Sequence, residues 1–220
     1  MLSPLRVYDR SLLWGAEVEA GGAIMVRTSD GTVAPLALHR FLSVADETDE
    51  SLLAGVAGPV LDVGCGPGRH LHALARRGVF GLGVDLSTVA VSLARGGGAQ
   101  AIVGSVFDEL PGAGSWRTAL LLDGNVGIGG DPVRLLRRIG ALLGPSGELL
   151  AELDRPGAPT GSIQARLESR HEASSWFPWA RVAAHCIEPI ATVAGYTVIA
   201  SWACGGRWFA RLRLTGESIP

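Results

Sequence analysis

Three glycines at alternate positions, Gly64, Gly66 and Gly68, follow an apolar run that opens at Val60 and contains a single acid, Asp62. Glycine is required where the backbone turns with positive φ, or where a ligand must touch the main chain with no Cβ in between. The spacing of Leu71 and Leu74 predicts a helix directly behind the last glycine. The free N–H groups and positive dipole end of such a helix offer a seat for a carboxylate or a phosphate. A second acid, Asp85, ends the next apolar run in Gly83-Val84-Asp85-Leu86-Ser87. A carboxylate there can accept hydrogen bonds from both hydroxyls of a ribose. Together, a side-chain-free bend and an acid one strand later point to a nucleoside-bearing ligand.

The spacing narrows the choice of ligand. A nicotinamide dinucleotide fingerprint has the form G-x-G-x-x-G, and Arg69 stands where its third glycine would be. A phosphate loop needs Gly-Lys-Ser/Thr, and the chain has no lysine. Asp62 beside the bend repels a pyrophosphate. It suits a cofactor that carries cations, such as the sulfonium and ammonium of S-adenosylmethionine (SAM). Candidates for catalysis are Asn125, His39 and His70, with His171 and His185 as further titratable groups. Each has a plainer reading. Asparagine in a glycine-rich loop adopts positive φ for local reasons, and a lone histidine is often a surface or satisfied core residue. Trp176, Phe177 and Trp179 either wall an apolar acceptor or pack a helix or interface. Cys65, inside the bend, needs only to be small.

These residues require a scaffold that presents strand ends side by side. The pattern from residue 59 alternates strand and helix: 59–64, then a helix over 68–77 with Leu71, Leu74 and Ala75 on one face, then 79–85. Ser87 caps a helix whose face is Leu86, Ala90, Leu93 and Ala94. Strands follow at 100–105 and 116–123. Asp131-Pro132 starts a helix that Gly144-Pro145 stops, and a strand covers 147–153. A helical stretch is expected over 181–194, interrupted by Pro189. The segments 196–204 and 207–214 flank Gly205-Gly206 as an antiparallel hairpin. The fold class is α/β: a doubly wound, mostly parallel seven-stranded sheet with a reversed C-terminal strand and helices on both faces. Residues 1–58 form an extension in which 23–27 and 32–38 make a hairpin around Ser29-Asp30-Gly31, and 46–55 a short helix. That extension is a possible lid or acceptor-site cover on a cofactor domain of residues 59–220.

At this point the chain resembles the class I (Rossmann-like) SAM-dependent methyltransferases. The resemblance is carried by LDVGCGPGR (61–69), GVDLS (83–87), GSVFDELP (104–111), LLLDGNVG (120–127) and LLGPSGELL (142–150), and it covers residues 50–214. It implies that the bend, Gly64, Cys65, Gly66 and Gly68, lines the methionine moiety, with Asp62 near its ammonium. Asp85 would hold the ribose and Leu86 would pack on the adenine. Ser105 and Val106 match the place of an acid and an apolar residue beside the adenine; serine there leaves the amino contact to Asp108 or weakens it. Asp123, Gly124 and Asn125 follow the fourth strand, where the family faces the methyl group and the acceptor. Asp-Gly-Asn-Val is not the Asn/Asp-Pro-Pro-aromatic signature of the family's nucleic-acid amino-methylating members.

Composition agrees with a small-molecule acceptor. The chain has 220 residues, 47% hydrophobic and 18% charged, with a net charge of −2 and every basic residue an arginine outside any run. That argues against nucleic acid as the partner. The three cysteines, Cys65, Cys186 and Cys204, suggest neither a disulfide framework nor a metal site, and a reducing cytoplasm is the simplest setting. No stretch reaches the roughly 18 apolar residues of a membrane span, and the charged N-terminal stretch is not a signal peptide. A nicotinamide-dependent oxidoreductase and a non-catalytic SAM-binding interaction protein are the alternatives.

Overall fold

The structure, a computed structural model, describes residues 2–13 and 23–215; Glu17 of the charged N-terminal stretch and residues 216–220 lie outside them. Helix α1 spans Pro4–Leu13. Strands β1 (Met25–Thr28) and β2 (Val33–Pro35) form the expected hairpin. Strand β2 ends at Pro35, which has no N–H to extend the ladder, and Leu38 already opens α2 (Leu38–Leu42) rather than ending a strand. Helix α3 (Glu47–Leu53) starts with a capping box between Asp46 and Asp49.

Alternation then sets in: β3 (Val60–Val63), α4 (Arg69–Arg76), β4 (Gly81–Asp85), α5 (Thr88–Gly96), β5 (Gln100–Val103), β6 (Trp116–Leu121), α6 (Pro132–Leu142) and β7 (Leu143–Leu153). Ser87 caps α5 by accepting from Ala90 N, and Asp131 caps α6 by accepting from Arg134 N. The remaining elements are β8 (Gly161–Glu168), β9 (Phe177–Arg181), α7 (Ile187–Val193), β10 (Tyr196–Cys204) and β11 (Arg207–Leu214). Gly205 and Gly206 join the last two strands with φ of 56° and 77°, the pair of positive values that a tight hairpin turn demands.

The large sheet has the order β10-β11-β7-β6-β3-β4-β5. The five strands from β7 to β5 are parallel, and β11 runs against both neighbours. The chain winds outward from β3 to β5 and then returns to lay β6 on the other side of β3. The crevice between the carboxyl ends of β3 and β6 is therefore the switch point at which α/β sheets bind ligands. All four residues of β3 are buried, as a strand covered on both faces must be. One face carries Leu135, Leu136, Ile139 and Leu142 of α6 with Ile187 and Ala191 of α7. The other carries Leu52, Leu53, Ala73 and Leu74 against Leu120, Leu150 and Phe209.

Four local expectations are corrected. Helix α5 buries Ala90, Val91 and Ala94, whereas Leu86 and Leu93 are exposed. Small residues are needed there because α1 lies against Ala90, and Ala94 abuts the backbone at Gly68. Helix α4 buries Ala73 and not Ala75. Strand β7 starts at Leu143, ahead of Gly144-Pro145. The helical stretch expected over 181–194 opens with a 3-10 turn at Ala184–Cys186 and continues as α7, since Arg181 belongs to β9; Pro189 lies in the first turn of α7, where a missing N–H costs no helical bond.

A second sheet, β2-β1-β8-β9, joins the N-terminal hairpin to a segment left unassigned in the sequence. The ion pair between Arg27 and Glu168 crosses the β1–β8 seam at 2.9 Å. Strand β9 rests on the irregular segment Asn125–Gly130: a Cβ added at Gly127 would collide with Ala180 O and Trp179 Nε1, and Ser162 Oγ donates to Gly130 O at 2.6 Å. Gly127→Ala should therefore force the second sheet away from the strand ends at a cost of about 1–3 kcal/mol, read as a lowered denaturant midpoint.

Candidate active site

Gly64, Gly66 and Gly68 have φ of 71°, 53° and 89°, so each adopts a backbone that side chains disfavour. Two neighbours fix the bend. Asn125 Nδ2 donates to Val63 O and Gly64 O, both at 2.9 Å, and a Cβ at Gly64 would strike that amide. Asp85 Oδ2 accepts from Gly66 N at 2.9 Å, and its Oδ1 accepts from Ser87 N at 2.8 Å. The structure thus brings the bend and the ribose-type acid into direct contact. Burial raises Asp85 above the ordinary carboxylate value, opposed by these backbone bonds.

Asp62 lies beneath the bend, 1% exposed, and its Oδ2 has no hydrogen-bond partner among the described residues. Burial pushes its pKa up to about 6, against the pull of His70. His70 is itself buried, with Nδ1 3.9 Å from Asp62 Oδ2 and Nε2 3.5 Å from Asp49 Oδ1. Its place is under the loop, between Asp49 and Asp62. His39 is exposed on α2. Cys65 turns its side chain toward Gly83 and Leu71, and burial, then Asp62 and Asp85, push its thiol pKa far up.

The remaining candidates divide. Leu86 is 55% exposed just beyond Asp85. At the next strand end Ser105 Oγ accepts from Phe107 N at 3.1 Å, while Val106 is sunk in the core. Gly124 has φ of 82° and open space where a Cβ would stand. Trp179 meets Phe177 edge-on at 6.0 Å; Phe177 packs with the α1 layer, and Trp176 lies under Arg166 at 4.7 Å. His185 is remote, its Nδ1 accepting from Gly157 N at 3.3 Å.

Asp123, with φ of 57°, is the hub of an ion network absent from the sequence-level expectations. Its carboxylate accepts from Arg69 Nη2 at 2.8 and 2.7 Å and from Arg40 Nη2 at 2.6 Å. Its N–H donates to Glu152 Oε2 at 2.7 Å. Arg207 clasps Glu152 at 2.9 and 2.7 Å and reaches Asp49 Oδ1 at 2.6 Å, and Asp49 also pairs with Arg69. Burial would raise Asp123, but His70, Arg69 and Arg40 hold it below its ordinary value; Asp49 is held down in the same way by His70, Arg207 and Arg69. A carboxylate so committed is a fixed charge and not a proton acceptor. Arg40, Asp49, Glu152 and Arg207 were not singled out in the sequence. The one available signal was Glu152, an acid inside an apolar strand as Asp62 is; the others pair across separations that no local pattern records.

The residues present fit a nucleoside with a cationic end. The bend leaves Gly66 bare, Asp85 sits against it, and Asp62 keeps an unpaired buried acceptor below. A family model described as "Methyltransferase domain" matches residues 36–193.

The chain belongs to this methyltransferase family.

Its sheet is that of a SAM-dependent methyltransferase, and the nicotinamide alternative falls with that assignment. No curated protein matches the methyltransferase. Among solved structures it is similar to a SAM-dependent methyltransferase from Bacteroides fragilis in complex with S-adenosyl-L-homocysteine, at 21% identity and a TM-score of 0.77, covering 96% of this chain and 94% of that one. It is also similar to a 1,6-didemethyltoxoflavin N1-methyltransferase from Burkholderia thailandensis (19% identity, TM-score 0.59, 98% and 92% covered). An amino pentose methyltransferase from Micromonospora echinaspora follows (19% identity, TM-score 0.58, 81% and 95% covered).

Arg69→Met in the methyltransferase removes the shared partner of two buried acids. It should cost about 3–5 kcal/mol, measured by denaturant unfolding of the cofactor-free protein.

Proposed function

We propose that the methyltransferase transfers the methyl group of SAM to a small-molecule acceptor, bound between the strand ends and a cover built from residues 1–58 and the second sheet. The observation that carries this reading is the contact of Asp85 with Gly66: the acid placed for a ribose and the bend placed for an aminoacyl end are joined by one 2.9 Å hydrogen bond. Asp62 would receive the ammonium, Asp85 the ribose hydroxyls, and Leu86, Ser105 and Val106 would border the adenine. Asp123 and Gly124 would flank the methyl group.

Bound SAM supplies an activated methyl group on a sulfonium, and the transfer is an in-line displacement. The protein's task is alignment in a dry cleft, and effective molarities of roughly 10⁵–10⁸ M show how much alignment supplies. Asn125 contributes by locking the bend, not by touching the acceptor. A base is needed only for an acceptor protonated at working pH.

A small acceptor is favoured by the net charge of −2 and the absence of lysine. It is favoured also by the second sheet, which sits on Asn125–Gly130 beside the switch point. Two of the similar structures are named for small molecules, 1,6-didemethyltoxoflavin and an amino pentose. No described helix is long and apolar enough to cross a membrane. The three cysteines are free, and we place the protein in a reducing cytoplasm.

SAM should raise the melting temperature of the protein, and labelled SAM should transfer its methyl group to a member of a panel of amines, phenols and carboxylates; protection by NAD instead of SAM would reverse the reading. Asp85→Ala should weaken SAM binding about tenfold to a hundredfold in calorimetry, the cost of hydrogen bonds to a charged acceptor.

Asp62 adds a pH dependence. Its folded pKa of about 6 lies above the ordinary 3.8, so the folded chain holds the proton over a wider range. The protonated form favours the fold at acid pH, and this stabilisation is lost as pH rises through 6. A cofactor cation prefers the ionised form. SAM affinity should therefore climb as pH rises through about 6, and Asp62→Asn should flatten that rise.

A further inference from the structure

Helix α1 carries a residue that no motif marks. It buries Val7, Ser11 and Leu12 against a layer containing Leu38, Ala90 and Leu167. Three successive residues then tie it across the site. Tyr8 extends over the glycine bend, its hydroxyl 3.5 Å from where a Cβ of Gly66 would be. Asp9 accepts from Ser87 Oγ, two residues beyond Asp85. Arg10 Nη1 donates to Glu172 Oε1 and Oε2 at 2.8 and 2.6 Å, between β8 and β9. The helix cannot slide along the cleft without breaking one of these contacts, so the Tyr8 ring is held at one position over the bend.

The Tyr8 hydroxyl keeps its proton. Burial raises its pKa, and Asp85, Cys65, Asp123 and Asp9 add to the rise. Among the described residues no acceptor takes that proton, and the neighbouring acids are engaged by other donors. Asp9 has Ser87, Asp85 has two backbone N–H groups, and Asp123 has Arg69 and Arg40. A held, unused O–H over the bend is a donor waiting for an anionic acceptor. At the aminoacyl end of the cofactor the carboxylate is the group that accepts and never donates, and it shares a carbon with the ammonium assigned to Asp62.

We propose that Tyr8 is a cofactor-positioning residue whose hydroxyl donates a hydrogen bond to the aminoacyl carboxylate of the bound cofactor. The proposal rests on the placement of that aminoacyl end at the bend. It gives α1 a direct part in cofactor binding, separate from any contact with the acceptor.

The test is calorimetry on the full chain with two ligands: S-adenosylhomocysteine, and 5′-methylthioadenosine, which keeps the adenine, ribose and thioether and lacks the aminoacyl group. Tyr8→Phe keeps the ring and removes the hydroxyl. It should weaken S-adenosylhomocysteine binding by about threefold to tenfold, the worth of one hydrogen bond. It should leave 5′-methylthioadenosine affinity and the ligand-free melting temperature unchanged. Equal losses on both ligands would put the hydroxyl on the ribose, and no loss on either would remove Tyr8 from the site; each overturns the proposal. A loss matched by a lower ligand-free melting temperature would show a structural role and overturn it too. If the unaltered protein binds neither ligand, the placement of the cofactor falls first, independently of Tyr8.

Discussion

The site depends on one electrostatic arrangement: three arginines and three acids locked together at the ends of β6, β7 and β11. Six segments around the crevice send one charge each inward. Asp49 comes from α3, Arg69 from α4, Asp123 and Glu152 from beyond β6 and within β7, Arg207 from the start of β11 and Arg40 from α2. Burying a single such charge costs several kcal/mol; burying them as alternating neighbours with hydrogen bonds on most atoms offsets that cost. The arrangement has one correct geometry, because a forked guanidinium meets two oxygens only when both are in plane. It therefore fixes the relative height of elements that lie far apart in sequence, and the glycine bend is suspended between them.

Around that frame the site separates its charges by role. Asp49, Asp123 and Glu152 are neutralised by arginines. Asp85 is held by backbone N–H groups and retains lone pairs toward the crevice. Among the described residues Asp62 keeps a buried oxygen without a donor, in a strand where every neighbour is apolar.

Most of the sheet was legible because its signals are local. The strand runs, the caps at Ser87 and Asp131, the glycine bend and the Gly205-Gly206 turn each declare themselves within a few residues. Asp62 and Asp85 stand out for the same reason, each an acid in or at the end of an apolar strand, and the structure gives Asp85 a part in holding the bend through Gly66 N and Ser87 N. Failures came where a distant segment decides. Leu93 reads as core by its spacing, yet α1 and the bend require alanines on that face and turn the leucine outward. Strand β8 does alternate at Ile163, Ala165 and Leu167, but its partner β1 lies near the other end of the chain. Tyr8 and Arg40 acquire meaning only once the extension has folded back over the strand ends.

The pairing of β1 with β8 sets an order of assembly. Arg27 meets Glu168 across 141 residues, and such distant pairings are slow because a long loop must close before they reward the chain. During synthesis the hairpin leaves the ribosome early and must wait, unpaired on one edge, until the parallel sheet and then β8 have emerged. Arg207, which clasps Glu152 and Asp49, emerges later still, so the charge network and the roof are both completed only by the last third of the chain.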